Sequence, residues 1–327
     1  MNSLAQELRH VTKSILDLSS PAWSLRDQVM SLKSILETAS GFSLVSRGED
    51  IGSGETITSR GVAISPTMAA MCVDDFARTV QFLRGVHAAI QHEHELQNRR
   101  VRVLYAGCGP WATLAVPLMS VLSSEQVRFT LLDMHSESIR SVERLISALD
   151  LAGHVDSRIV CDAGSHKIDP EDPPDIVVVE MIRAALEHEP QVEVSAHLLR
   201  QAPNALLIPE RISVDLAWLG TDGVRDTEII AELINVDREF LLSGALPVSG
   251  DRMQLRSVRI PQSSTPGEQL TLLTSIRIYS EFVLSGNDSG ITIRRPLSRP
   301  DASTGDVLHF SYEFGKCPGI RMDVDRD

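Results

Sequence analysis

Apolar residues recur at helical spacing near the start of the chain, where Leu4, Leu8, Val11, Ile15 and Leu18 form one stripe, and this predicts an amphipathic helix. Ser20-Pro21 ends it, and a second helix is predicted from Ser24 to Ala39. Residues 41–62 are rich in glycine, serine and charge and read as a loop. Ser65-Pro66 then opens a long helix that the pattern carries to about Gln97, a capping serine preceding proline in the first turn. The texture changes at Val101. Short apolar runs at Val101–Ala106, Phe129–Asp133, Ser157–Cys161 and Asp175–Val179 are spaced by helix-like or loop segments, the signature of a parallel α/β sheet. Beyond 220 the period becomes two. Leu255–Ile260, Leu270–Leu284, Ile291–Ile293 and Val307–Phe314 alternate apolar and polar residues, and read as antiparallel strands. Three regions are therefore expected: helical (1–97), α/β (98–220) and β-rich (221–327).

Composition narrows the class. A chain of 327 residues, 43% hydrophobic, can bury a core large enough for more than one unit. A net charge of −13 argues against nucleic acid or an anionic membrane as the main partner. Cys72, Cys108, Cys161 and Cys317 lie far apart, without metal-ligand spacing, so no metal is expected and a reducing compartment is. The first residues are polar and amphipathic, unlike a signal peptide, and no apolar run reaches membrane-spanning length. A cytoplasmic protein is the expectation.

The chemistry begins where the first strand of the α/β region ends. Gly107-Cys108-Gly109-Pro110 follows Val101–Ala106 and precedes a helix-like segment from Trp111 to Leu122. Glycine permits the unusual φ of such a turn and lets a ligand approach the backbone, and the amides opening a following helix favour polar or anionic groups. The next strands end in Asp133, Asp162 and Glu180. Strand C-termini are where ligands bind in open α/β sheets, and an acid ending the second strand suits the two hydroxyls of a ribose. Pro110 and Trp111 follow Gly109, and Ala112 stands where a dinucleotide fingerprint has its third glycine. An adenosine without phosphates therefore fits better than a pyrophosphate.

This arrangement resembles a class I S-adenosylmethionine-dependent methyltransferase over about half the chain, which implies a seven-stranded-type Rossmann-like sheet. A narrower likeness is to the protein arginine methyltransferases: Asp75-Phe76-Ala77-Arg78-Thr79 matches their Asp-x-x-Arg-Thr helix, Glu180 and Glu189 have the spacing of their paired glutamates, and Leu206-Leu207-Ile208-Pro209 matches their Leu-Ile-Pro strand. The resemblance implies that S-adenosyl-L-methionine is bound by Arg78, Tyr105, Ala106, Gly107, Gly109, Asp133, Met134, Asp162, Ala163 and Glu180. It also implies catalytic work by the glutamates Glu180 and Glu189, and His188, near the expected cleft mouth, is a further candidate helper. A guanidinium presents a planar fork that carboxylates bind bidentately.

The chain departs from that family between its glutamates. Met181 to His188 has high helix propensity, and nine helical steps turn about 900°, which would set Glu180 and Glu189 on opposite faces. The family's aromatic positions ahead of the Arg78 helix fall near Ser59 and Ala63, and its Thr-His-Trp loop is missing. A small-molecule amine or guanidine is thus the expected acceptor, with N-methylation the expected reaction. Bland readings stand beside several residues: Arg78 could pair with Asp74 or Asp75, Asp162 could cap the next segment, Glu189 could end a helix, and Arg183 could pair with Glu187. Two other functions remain open. The Gly-Cys-Gly-Pro turn also resembles nicotianamine-synthase-like proteins, which transfer the aminocarboxypropyl arm of the same cofactor. A non-catalytic cofactor-binding assembly module is the other, and the apolar N-terminal helices and C-terminal strands would serve a homodimer.

Overall fold

The structure, a computed structural model, describes residues 3–44, 52–219, 228–244, 246, 251–261, 269–297 and 304–325. Helices α1 (Ser3–Leu16) and α2 (Arg26–Ser40) pack together, with Leu8, Ile15, Val29, Leu32 and Leu36 buried, whereas Leu18 of the predicted stripe lies beyond the end of α1 and is exposed. Part of the expected loop, 45–51, lies outside the described residues. The rest is not simply loop. Strands β1 (Thr56–Ile57) and β2 (Val62–Ala63) pair as a short hairpin. The long helix predicted from Pro66 is two helices, α3 (Pro66–Met71) and α4 (Phe76–Gln97), joined by a turn at Cys72–Asp74. Asp75 leaves the helical region at φ −78° and ψ 82°, and its carboxylate caps α4 by accepting from the Arg78 amide. A new N-cap has interrupted one apolar pattern. Arg84 of α4 is buried and donates to the carbonyls of Ile15, Asp17 and Ser20, tying the end of α1 to the centre of the molecule.

The α/β sheet follows: β3 (Val101–Ala106), α5 (Val116–Val121), β4 (Val127–Asp133), α6 (Ser136–Ala148), β5 (Val155–Val160), β6 (Ile176–Val179), α7 (Gln191–Gln201) and β7 (Leu206–Ile208). Its strands are all parallel, in the order β5-β4-β3-β6-β7. The order reverses at β3, so a crevice opens at its C-terminal end, where the glycine turn lies. Among the described residues the sheet has five strands, not the seven of the expected type. After β7 the chain leaves it, because β8 (Arg211–Leu219) pairs antiparallel with later strands. The helix expected from Trp111 is also shorter: Ala112 takes φ +41° and α-helix begins only at Val116.

The remaining elements are β9 (Glu228–Asp237), α8 (Arg238–Leu242), β10 (Arg252–Arg259), β11 (Gln269–Tyr279), β12 (Phe282–Leu284), β13 (Arg295–Pro296), β14 (Val307–Glu313) and β15 (Gly319–Asp325). Strands β12-β11-β8-β9 form one antiparallel sheet, with β13 also on β11, and β10-β14-β15 form another. The β-rich region was legible as such, but it begins at Arg211, ahead of the change of texture at 220, and the expected strand Ile291–Ile293 is largely a helical turn, Gly290–Thr292. The protein is thus α/β, a Rossmann-like parallel sheet with N-terminal helices and a β-rich C-terminal region. No helix among the described residues is long and apolar enough to cross a membrane.

Candidate active site

Four of the five parallel strands, β3, β4, β5 and β6, bring groups at their C-terminal ends to one cleft, open at its mouth. At the end of β3, Gly107 and Gly109 hold φ +72° and +66°. The notch above Gly107 is narrow: a Cβ there would meet the Met181 Cε at 2.8 Å. The Gly109 amide donates to Asp133 Oδ2 at 2.8 Å, and the His135 amide donates to Oδ1 at 2.8 Å. These two bonds fix the carboxylate that ends β4 against the glycine turn. His135 sits with Nδ1 3.5 Å from the same carboxylate, and its hydrogen bond to Asp133 raises its pKa.

Asp162, beyond β5, caps the segment that follows it and also lies at the cleft. One oxygen caps the turn Ala163–Ser165 through the Gly164 amide at 2.8 Å, while the carboxylate lines the cleft. Its second oxygen takes Arg60 Nη1 at 2.9 Å. Tyr105, Met134 and Ala163 also line the cleft. Burial pushes the Tyr105 hydroxyl well above its ordinary pKa and keeps it neutral. Ala106 is buried in the strand behind the lining.

The largest departure from expectation lies between β6 and α7. Met181–His188 is not a helix. A single helical turn at Ala184–Leu186 is interrupted by positive φ at Ala185, and Leu186 and His188 are also in the left-handed region. Such conformations cost roughly 1–2 kcal/mol per residue, and tertiary bonds offset that. Thr274 Oγ1 accepts from the Ala185 amide at 2.8 Å, the Pro318 carbonyl from the His188 amide at 2.9 Å, and Gln191 bridges Met181 and Val179. The loop turns back, so Glu180 and Glu189 line the same cleft instead of facing apart.

Arg78, from the first turn of α4, completes the group. Its Nη2 forms an ion pair with Glu180 Oε1, the two side chains 13% and 10% exposed. It does not pair with Asp74, which takes Lys33, nor does Asp75 serve it except through the backbone. Burial opposes the Arg78 charge, but Glu180 and the neighbouring groups outweigh it and hold the guanidinium protonated. Burial raises the Glu180 pKa, and pushes that of Glu189 up to about 7 despite Arg78 nearby. A pKa there lets Glu189 exchange a proton near neutrality.

Other expected residues fall outside this group. The exposed His188 ring has Nδ1 4.0 Å from Cys317 Sγ, and His188 is not among the cleft-lining residues. Glu187 takes Arg295 at 3.6 Å, while Arg183 is exposed. Conversely, the cleft gains residues with no local signal. The β1–β2 hairpin closes one side through Thr58, Val62 and Ala63, and is fastened by Arg60, by Thr56 Oγ1 3.3 Å from His135 Nε2, and by the Val62 amide on the His188 carbonyl at 2.8 Å. Asp75 Oδ2 also accepts from Ser289 Oγ at 2.6 Å and the Gly290 amide at 2.7 Å, so the helix carrying Arg78 is anchored to the C-terminal region.

No protein family and no curated protein sequence matches this chain. Fold and site together define an open parallel α/β protein with a glycine turn and a carboxylate cluster at its switch point. Among solved structures, the chain is similar to protein arginine methyltransferase 10 of Arabidopsis thaliana, seen in an open conformation, at 11% identity and a TM-score of 0.48 over 71% of this chain and 84% of that one.

Proposed function

We propose that this protein is an S-adenosylmethionine-dependent methyltransferase that methylates a nitrogen of a small guanidine or amine. The observation that carries the proposal is the convergence of Glu180 and Glu189 beside Arg78 in the cleft that opens at Gly107 and Asp133. The residues present suit an adenosine with an amino-acid tail: Asp133 for the ribose hydroxyls, the bare Gly107 notch for close backbone approach, Arg78 for the carboxylate, and Asp162 with Ala163 and Met134 at the base. S-adenosylmethionine supplies an electrophilic sulfonium methyl when bound. The protein's work is then mostly placement, since proximity and orientation supply the larger part of the rate in such transfers. Glu180 and Glu189 accept N–H bonds from the acceptor, hold its plane and aim one nitrogen. As that nitrogen forms its bond to carbon it sheds a proton, and Glu189, with a pKa of about 7, can take it. The hairpin docked on the His188 carbonyl narrows the approach and supports a small free acceptor over a residue in a folded protein.

Calorimetric titration with S-adenosylhomocysteine should give saturable binding that Asp133→Ala abolishes. Incubation with S-adenosylmethionine and a panel of small guanidines and amines should release S-adenosylhomocysteine. Release of methylthioadenosine would assign aminocarboxypropyl transfer instead, and binding without turnover of any panel member would favour an assembly module.

A further inference from the structure

The β1–β2 hairpin stands against the backbone that carries Glu189. A Cβ on Gly61 would meet the His188 carbonyl oxygen at 2.7 Å and the Pro190 nitrogen at 3.1 Å, and the Val62 amide donates to that carbonyl at 2.8 Å. From the hairpin side Thr58, Val62, Ala63 and Ile64 line the cleft, and all four stay half-exposed. The one hydroxyl among them is engaged inside the turn: Thr58 Oγ1 donates to the Gly61 carbonyl at 2.9 Å and accepts from the Arg60 amide at 3.0 Å. Arg60, the hairpin's one cation, is paired with Asp162. The register extends this apolar surface outwards. Ile57 is the cross-strand partner of Val62, so the two side chains share a face with Cβ atoms about 5 Å apart. Ile57 is nonetheless 72% exposed, an apolar side chain left uncovered beside a residue that lines the cleft. The cations of the lining are engaged elsewhere, Arg78 by Glu180 and His135 by Asp133, and Arg183 is exposed and not a lining residue.

We propose that the acceptor is an apolar amine or guanidine, an alkyl or arylalkyl chain that lies along Ile57 and Val62 with its cationic head at Glu180 and Glu189. This rests on the methyltransferase reading given above and names its substrate class. The head meets carboxylates, and the body meets Val62, Ala63, Ile64 and, beyond them, Ile57. An acceptor whose chain ends in a carboxylate gives up the hydration of that charge and gains no unengaged cation in return.

A chain-length series tests this. n-Alkylguanidines and n-alkylamines from methyl to octyl, with 4-guanidinobutyrate and 4-aminobutyrate as acid-ended counterparts, are supplied with S-adenosylmethionine to the full chain, and release of S-adenosylhomocysteine is followed. For the head group that is turned over, kcat/KM should rise about two- to fourfold per methylene over the shorter chains, as burial of each CH₂ requires. The acid-ended compound should fall at least about 30-fold below its n-butyl counterpart. Ile57→Ser, a change at an exposed position, should keep S-adenosylhomocysteine affinity and turnover of the methyl compound within about twofold of wild type while lowering the chain-length slope. Ile57→Ser/Val62→Ser should flatten it. A flat slope in the wild type, a slope unchanged in both variants, or an acid-ended acceptor turned over as well as its n-butyl counterpart overturns the apolar-acceptor assignment and leaves the methyltransferase reading standing. No release of S-adenosylhomocysteine with any compound overturns both.

Discussion

Glu189→Gln tests whether the loop after β6 truly buries a second carboxylate. Burial raises the Glu189 pKa from 4.5 to about 7. Below pH 4.5 the side chain is protonated folded or unfolded, and its raised pKa has no cost. As pH rises the unfolded chain loses the proton first, the folded state binds more protons, and stability falls until about pH 7. At about 1.36 kcal/mol per unit, the loss approaches about 3 kcal/mol by pH 8. Glutamine cannot ionise. Urea denaturation at pH 4.5 and pH 8 should therefore find Glu189→Gln close to wild type at the lower pH and more stable by about 2–3 kcal/mol at the higher. The same substitution should lower methyl transfer at pH 8, where the lost carboxylate would otherwise accept the proton. A stability difference that does not change between the two pH values refutes the burial, and with it the paired-carboxylate site.

Four other outcomes follow from the same geometry. Arg78→Met leaves Glu180 buried without its cation and should destabilise the fold by about 3 kcal/mol, most of it recovered in the Arg78→Met/Glu180→Gln double variant by denaturation. Asp133→Ala removes the acceptor for two backbone amides, and in a thermal-shift assay S-adenosylhomocysteine should no longer stabilise it. Gly107→Val places carbon 2.8 Å from Met181 Cε at φ +72°, so it should lose ligand binding and about 1–2 kcal/mol of stability; adding Met181→Ala should relieve the contact but not the backbone strain. His135 should titrate above 6.5 by NMR because Asp133 favours its charged form, and Asp133→Asn should bring the midpoint down. That pairing stabilises the fold fully below pH 6.5 and is lost as pH rises through the raised pKa.

What the sequence disclosed, and what it hid, divides along the range of the forces involved. The parallel strands were legible because a strand covered on both faces must be a continuous apolar run, and Ile176–Val179 is buried at every residue. The glycine turn and the acids at the strand ends were legible because turn geometry and ligand approach act within a few residues. Met181–His188 was misread for the complementary reason. Its helix propensity amounts to a few tenths of a kcal/mol per residue, whereas amides fixed by Thr274 and Pro318 gain partners that a short exposed helix lacks at its ends. Propensity could not reveal acceptors contributed from more than eighty positions downstream. The consequence reached the chemistry, since the wrong helix set Glu180 and Glu189 on opposite faces and counted against a paired-carboxylate site. Arg60 was hidden in the same way: a loop of glycine, serine and charge carries no sign that one of its arginines will pair with Asp162. Where a site is assembled by long-range bonds that override local preference, its residues can be named from spacing, but their facing has to come from the fold.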